Sequence, residues 1–302
     1  MVNQARGFAE AMGFTPVLKT FRARAPWRFL APQFWLMPHR AAGPGSDDIG
    51  PPWPDVIVAC GSKSIAPVLR IRRKSKGRTR AVYVQDPTID PARFDLVIAP
   101  MHDRLSGPNV IAVRGAVHRV TPARLEEAAR AFAGRFDHLP HPLVAVMLGG
   151  NSGAYRLTAP IMEKLADHLA RLCRDQGAGL MVTASRRTGT EAEALLRQHL
   201  KNLPVYFWDG SGDNPYFAFL ALADAVVVTG DSVNMVSEAL STGKPVHVVA
   251  LEGGTDKFRR FHEDLTQQGM TRPFAGRLEQ WSYAPLRDTQ RAAAEARKRL
   301  GL

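Results

Sequence analysis

Short apolar runs alternate with amphipathic stretches along most of this chain. Runs at 55–59, 80–85, 96–100 and 110–113 read as strands of a first set, preceded by a helix over Asn3–Met12. A second set opens at Leu143–Leu148 and continues with strands at 180–183, 205–208, 226–229 and 246–250. Three- and four-residue apolar spacing predicts helices between them, over about 158–174, 191–200, 216–223 and 233–242, and a last Ala/Arg-rich helix over 286–302. Strands without polar alternation, each followed by a helix, belong to parallel sheets covered on both faces. The stretch 25–54 is rich in Pro and Trp and has no period, and the linker Gly134–Pro142 separates the two sets. Doubly wound domains usually open on a strand whose turn feeds the first helix. Here the helix comes first: either the start is truncated or misassigned, or the N-terminal domain lacks that strand.

Residues 225–250, AVVVTGDSVNMVSEALSTGKPVHVVA, are the most informative segment. They predict a buried strand, a tight turn at Gly230-Asp231-Ser232, a helix ended by Gly243, and a second strand after Pro245. Unpaired N–H groups and the helix dipole favour an anion such as a diphosphate beside Asp231 and Ser232. Asn234 and Glu238, four residues apart, share a helix face, which puts Glu238 in reach of ribose hydroxyls one turn further in. The same residues serve equally well as N-caps of an ordinary βαβ unit.

Other strand ends carry similar chemistry. Gly149-Gly150-Asn151-Ser152 lets backbone N–H groups approach a phosphate. Ser185-Arg186-Arg187-Thr188 supplies a diphosphate clamp, and Asn214 lies in the loop Asp213–Tyr216 after Trp208, whose ring can flank a base. In α/β sheets ligands bind at this edge. In the first set, Asp86 follows one strand and His102-Asp103 another, which makes them candidates for a general base; turn chemistry is the alternative for each. There is no Walker A or GxGxxG sequence. Metal ligands are not expected: no Asp-x-Asp occurs, and His138 and His141 stand in a Pro-rich linker. A serine-hydrolase elbow at Gly230–Asn234 lacks its second glycine.

The net charge of +12 is uneven: residues 1–140 hold 21 Lys+Arg against 11 Asp+Glu, and residues 141–302 hold 19 against 17. The densest stretch, Arg70–Arg80, implies an anionic membrane surface or a phosphorylated acceptor. No aromatic residue interleaves it, so nucleic acid is not expected. Cys60 and Cys173 read as buried thiols of a reducing compartment. With no bilayer-length apolar run and no signal peptide, the expectation is a cytoplasmic protein, peripheral at the inner membrane face.

Long ordered stretches resemble the mitochondrial fission Elm family: NQARGFAEAMG (3–13), QDP (85–87), FDLVIAPMHDRLSGPNV (94–110), LGGNSGAYRLT (148–158), TASRRT (183–188), DNPYFAFLALADA (213–225), TGDSVNMVSEALSTGKPV (229–246), FRRFHEDL (258–265) and WSYAPL (281–286). The turn, Ser and Glu-Ala-x-x-x-Gly-x-Pro series also resembles the donor site of GT-B glycosyltransferases. The resemblance implies a GT-B fold of two Rossmann-like domains facing a cleft: residues 1–138 with the helix 285–302 returning to them, and residues 139–284. The family's first strand and its Asp-Gly-x-x-Gly turn before Asn3 are absent here. The function implied is a metal-independent glycosyltransferase-like protein with a nucleotide-sugar donor as substrate, no cofactor, and an envelope or lipid-linked acceptor. The alternative is a non-catalytic, membrane-associated adaptor that recruits a protein partner.

Overall fold

A computed structural model describes residues 2–35, 37 and 40–302. The chain divides into two compact units, residues 1–119 with 287–302, and residues 120–286.

In the first unit, helix α1 (Val2–Ala11) comes before strand β1 (Val56–Cys60), helix α2 (Ile65–Lys74) and strands β2 (Arg80–Val84), β3 (Leu96–Pro100) and β4 (Val110–Val113). The strands form one parallel sheet in the order β1-β2-β3-β4. Strand side chains alternate between faces. Val82, Val84, Leu96 and Ile98 meet Phe8 and Met12 of the α1 segment and Ala292, Ala293 and Ala296 of the C-terminal helix (Asp288–Leu300). Ala81, Tyr83 and Val97 meet Ile65 and Val68 of α2 on the other side. The alanine stripe and Gly7 allow close approach: a Cβ on Gly7 would stand 2.6 Å from the His118 carbonyl oxygen.

Two features of this unit differ from the sequence reading. The basic run 70–80 is not one solvated stripe, because residues up to Lys74 end α2. Within it Arg72 donates to both oxygens of Asp95, at 2.9 and 3.1 Å, and so is used internally. The aperiodic stretch 25–54 contains two single turns, Trp27–Phe29 and Pro32–Phe34, and its start is closed by an antiparallel bridge between Ala23 and Ala42.

The second unit begins earlier than the linker at 134–142. Its first helix, α3 (Pro122–Ala131), is capped by Thr121, whose hydroxyl accepts from Arg124 N. There follow β5 (Leu143–Leu148), β6 (Tyr155–Arg156), α4 (Ala159–Gln176), β7 (Gly179–Ala184), α5 (Thr190–His199), β8 (Val205–Phe207) and α6 (Tyr216–Leu222). The chain continues with β9 (Ala225–Thr229), α7 (Val233–Leu240), β10 (Val246–Val249), β11 (Glu252–Gly253), α8 (Asp256–Gln267) and β12 (Thr271–Pro273). Six parallel strands run in the order β12-β10-β9-β5-β7-β8. The chain winds outward from β5 through β7 to β8, then crosses to β9 and winds outward the other way. The winding therefore reverses between β5 and β9, where open α/β sheets hold ligands.

Candidate functional site

The loops after β5, β7 and β9 meet at this reversal. Thr229, at the end of β9, accepts from Gly149 N at 2.7 Å. The Asp231 carboxylate accepts from Gly150 N at 3.0 Å and pairs with Arg187 at 2.7 Å. Asn151 N donates to the Arg187 carbonyl at 2.9 Å, and Ser185 N to the Leu148 carbonyl at 2.8 Å. Gly149–Ser152, Ser185–Thr188 and Gly230–Ser232 thus form one knot at the edge of the sheet, with the N-terminus of α7 opening beside it.

The glycines do not leave space for a phosphate, as the sequence suggested. A Cβ on Gly149 would lie 2.1 Å from Asp231 Oδ1, and one on Gly150 2.2 Å from the Arg187 carbonyl oxygen. The close approach they permit is between loops of the protein itself. Asp231 is likewise an internal anion, its side chain fully buried. Arg187 is therefore not an unpaired half of a clamp; Arg186, exposed like Arg187, is in no ion pair among the described residues.

Several other candidates have internal duties. Asn151 Oδ1 accepts from Leu157 N, Ser152 Oγ from Ala154 N and Tyr155 N, and Ser185 Oγ from Arg187 N. Asn214 Oδ1 accepts from Tyr216 N before α6, and Ser232 caps α7 by accepting from Met235 N. Thr188 donates to the Gly149 carbonyl.

Glu238 is corrected most. It is 6% exposed, not an open acceptor, because its two oxygens receive the Tyr216 hydroxyl and Asn234 Nδ2. Burial raises its carboxyl to about 7, against the opposing effect of these two donors. Tyr216 rises well above the ordinary phenol range through burial and then the neighbouring carboxylate. Within this site the buried acceptor atoms Asp231 Oδ1 and Asn234 Oδ1 have no hydrogen-bond partner among the described residues.

Sequence reasoning gave Tyr216, Tyr155 and His262 no place among the site residues. Tyr216 stands two residues after Asn214, and its place at the start of a helix beside the β8 loop was the available signal. Burial, and then the Asp231 charge, raise the Tyr155 phenol. His262 Nε2 lies 2.7 Å from the Gly230 carbonyl, which commits that ring nitrogen to the turn instead of to Ser232.

In the first unit, Asp86 and His102 stand at the same edge of neighbouring strands. Asp86 accepts from Thr88 N at 2.7 Å in a turn and is half-buried. His102 and Asp103 lie 3.9 Å apart with side chains 5% and 6% exposed, less open than a base for an acceptor hydroxyl needs. Among the described residues, no three His, Cys, Asp or Glu side chains cluster closely enough to hold a metal ion.

The family model described as Mitochondrial fission ELM1 matches residues 1–300. A curated relative, Mitochondrial fission protein ELM1 of Arabidopsis thaliana, is 34% identical over 274 residues, covering 82% of this chain and 64% of the relative. The chain thus spans less than two thirds of that relative's length. An uncharacterized protein of Rickettsia prowazekii (strain Madrid E) is 25% identical over 280 residues, covering 80% of this chain and 78% of that protein. Among solved structures, UDP-GlcNAc 2-epimerase of Methanocaldococcus jannaschii in complex with UDP-GlcNAc and UDP gives a TM-score of 0.51 at 12% identity, over 81% of this chain and 75% of that one. A putative UDP-N-acetylglucosamine 2-epimerase from Listeria monocytogenes gives 0.51 at 12% identity, over 82% and 66%. At such identities the likeness establishes the GT-B-like α/β fold.

Proposed function

The chain belongs to the mitochondrial fission ELM1 family, and on that premise we propose that its second unit binds a nucleotide sugar as a glycosyltransferase-like protein. The observation that carries this reading is the meeting of three strand-end loops at the β5/β9 reversal beside the α7 N-terminus. The phosphates would lie against the first turn of α7 and Arg186, where dipole, unpaired N–H groups and guanidinium supply positive potential. Asn234, whose buried Oδ1 has no hydrogen-bond partner among the described residues and whose Nδ2 is held by Glu238, would accept a ribose hydroxyl once the ligand seats against α7. Glu238 then acts as a positioning residue. Uridine is the base to try first, because a structural neighbour was solved with UDP-GlcNAc and UDP. Transfer to an envelope or lipid-linked hydroxyl acceptor belongs to the same proposal.

A thermal-shift panel of UDP, UDP-GlcNAc and other nucleoside diphosphates, with and without magnesium, tests the binding step. Ligand at about a hundred times its Kd stabilises by roughly 2.7 kcal/mol, and the shift should persist without magnesium and shrink in Arg186→Ala. A blank panel sinks the reading and leaves the non-catalytic adaptor. A hit without sugar turnover in any acceptor extract retains binding and removes the transferase.

A further inference from the structure

The first unit carries an exposed apolar face that the nucleotide reading does not use. Among the described residues, seven of the ten large apolar side chains standing exposed fall between residues 14 and 37. Val17 is 82% exposed, Phe29 72% and Phe34 66%. Phe29 and Phe34 stand on the two single turns of this segment, and a gathering of exposed apolar side chains marks an interaction surface. The same stretch is basic: Lys19, Arg22, Arg24, Arg28 and Arg40 occur between Glu10 and Asp47 with no acidic residue among them.

The stretch is also a built structure. Its two arms are joined where Arg24 N donates to the Ala41 carbonyl at 2.9 Å and Gly43 N to the Arg22 carbonyl at 2.7 Å. Its tip is seated by Trp35, only 7% exposed, whose Nε1 donates to the Leu30 carbonyl. Between this tip and α2 runs a groove of about 220 Å³, floored by Trp35, Ile65, Leu69 and Ile89, with Arg70, Arg73 and Arg93 along it and no acidic residue lining it. None of these three arginines is in an ion pair among the described residues, in contrast to Arg72 beside them.

We propose that this face docks on an anionic phospholipid bilayer, with Phe29 and Phe34 entering the headgroup–acyl boundary and the groove receiving one lipid phosphate. Exposed aromatic side chains on the segment that walls a groove lined by three arginines match an interface that is apolar within and negative at its surface. A second copy of the chain is a poor occupant, since both faces would bring the same positive charge. A soluble phosphate fits the arginines but leaves the exposed aromatics without a partner. The proposal does not rest on nucleotide binding.

Vesicle flotation of the full chain tests it, using phosphatidylcholine alone and phosphatidylcholine mixed with phosphatidylglycerol. The wild type should float with the anionic vesicles and stay behind with the neutral ones. Arg70→Gln/Arg73→Gln/Arg93→Gln should lower anionic partition by roughly a hundredfold at low salt. Phe29→Ser/Phe34→Ser should lower it by roughly tenfold and make the remainder salt-labile. Unchanged circular-dichroism melts establish that both variants fold, as expected of exposed side chains. Absence of wild-type flotation, equal partition into neutral vesicles, wild-type retention by both variants, or displacement by free glycerol phosphate overturns the proposal. So does displacement by nucleic acid, which would identify a different anionic partner.

Discussion

Individual residues around the β5/β9 reversal have very little room to change. Gly150 has φ +149° and no space for a Cβ against the Arg187 carbonyl. Gly150→Ala should therefore cost about 3 kcal/mol, from overpacking and backbone strain, read as a lowered urea midpoint. Glu238 makes a different prediction. Its carboxyl is raised from an ordinary 4.5 to about 7, so the folded state binds its proton more tightly than the unfolded state does. Stability from this group is full below pH 4.5 and is lost as pH rises to about 7. The loss is no more than roughly 3 kcal/mol. Glu238→Gln should flatten that slope in denaturation series across the window, while an unaltered slope would assign it to other groups.

At the level of elements, strands and caps respond more mildly. Ser232 caps α7 through Met235 N, so Ser232→Ala should cost about 1 kcal/mol and Ser232→Gly only a few tenths, measured by chemical denaturation. Arg72 links α2 to Asp95, which also accepts from Ala81 N at 2.7 Å. Arg72→Gln should cost about 1 kcal/mol of stability, discounted for partial exposure, and leave vesicle binding intact; Arg73→Gln should do the reverse.

These same elements show what periodicity could and could not reveal. Strands β5 and β9 are buried end to end, and β7 in all but its last residue, so they announce themselves as apolar runs. Helix α2 was obscured because Arg70, Arg72, Arg73 and Lys74 crowd its outer face, so charge density masked the Ile65, Val68, Ile71 stripe. Helix α8 presents only Phe261 and Leu265 as fully buried residues in twelve. At the site, residue types and strand ends were legible, and their partners were not. Nothing in the spacing of Asp231 or Glu238 tells that their oxygens face Arg187, Gly150, Tyr216 and Asn234 across gaps of up to eighty-one residues.

For the whole molecule, each unit holds a buried histidine whose burial lowers it from 6.5 to about 4: His118 in the first and His247 in the second. The unfolded chain binds these protons first, so the stability they contribute is full above pH 6.5 and is lost as pH falls toward about 4. Replacing both by Asn should soften acid unfolding in that window, seen as a smaller fall in melting temperature between pH 6.5 and 4. Equal acid sensitivity in the double variant would place the effect elsewhere.

The packing of Ala292, Ala293 and Ala296 against Phe8 and Met12 has a consequence for biosynthesis. Domains usually fold in the order in which they leave the ribosome. Here the second unit is complete at residue 286, while the first still waits for residues 287–302. Until residues 287–302 are made, the first unit's sheet is covered on that face only in part, by the α1 segment, and the helix Asp288–Leu300 completes the cover. Released chains truncated after residue 286 should resist protease across residues 120–286 and be cut within 1–119, which reverses the usual order of maturation along a polypeptide.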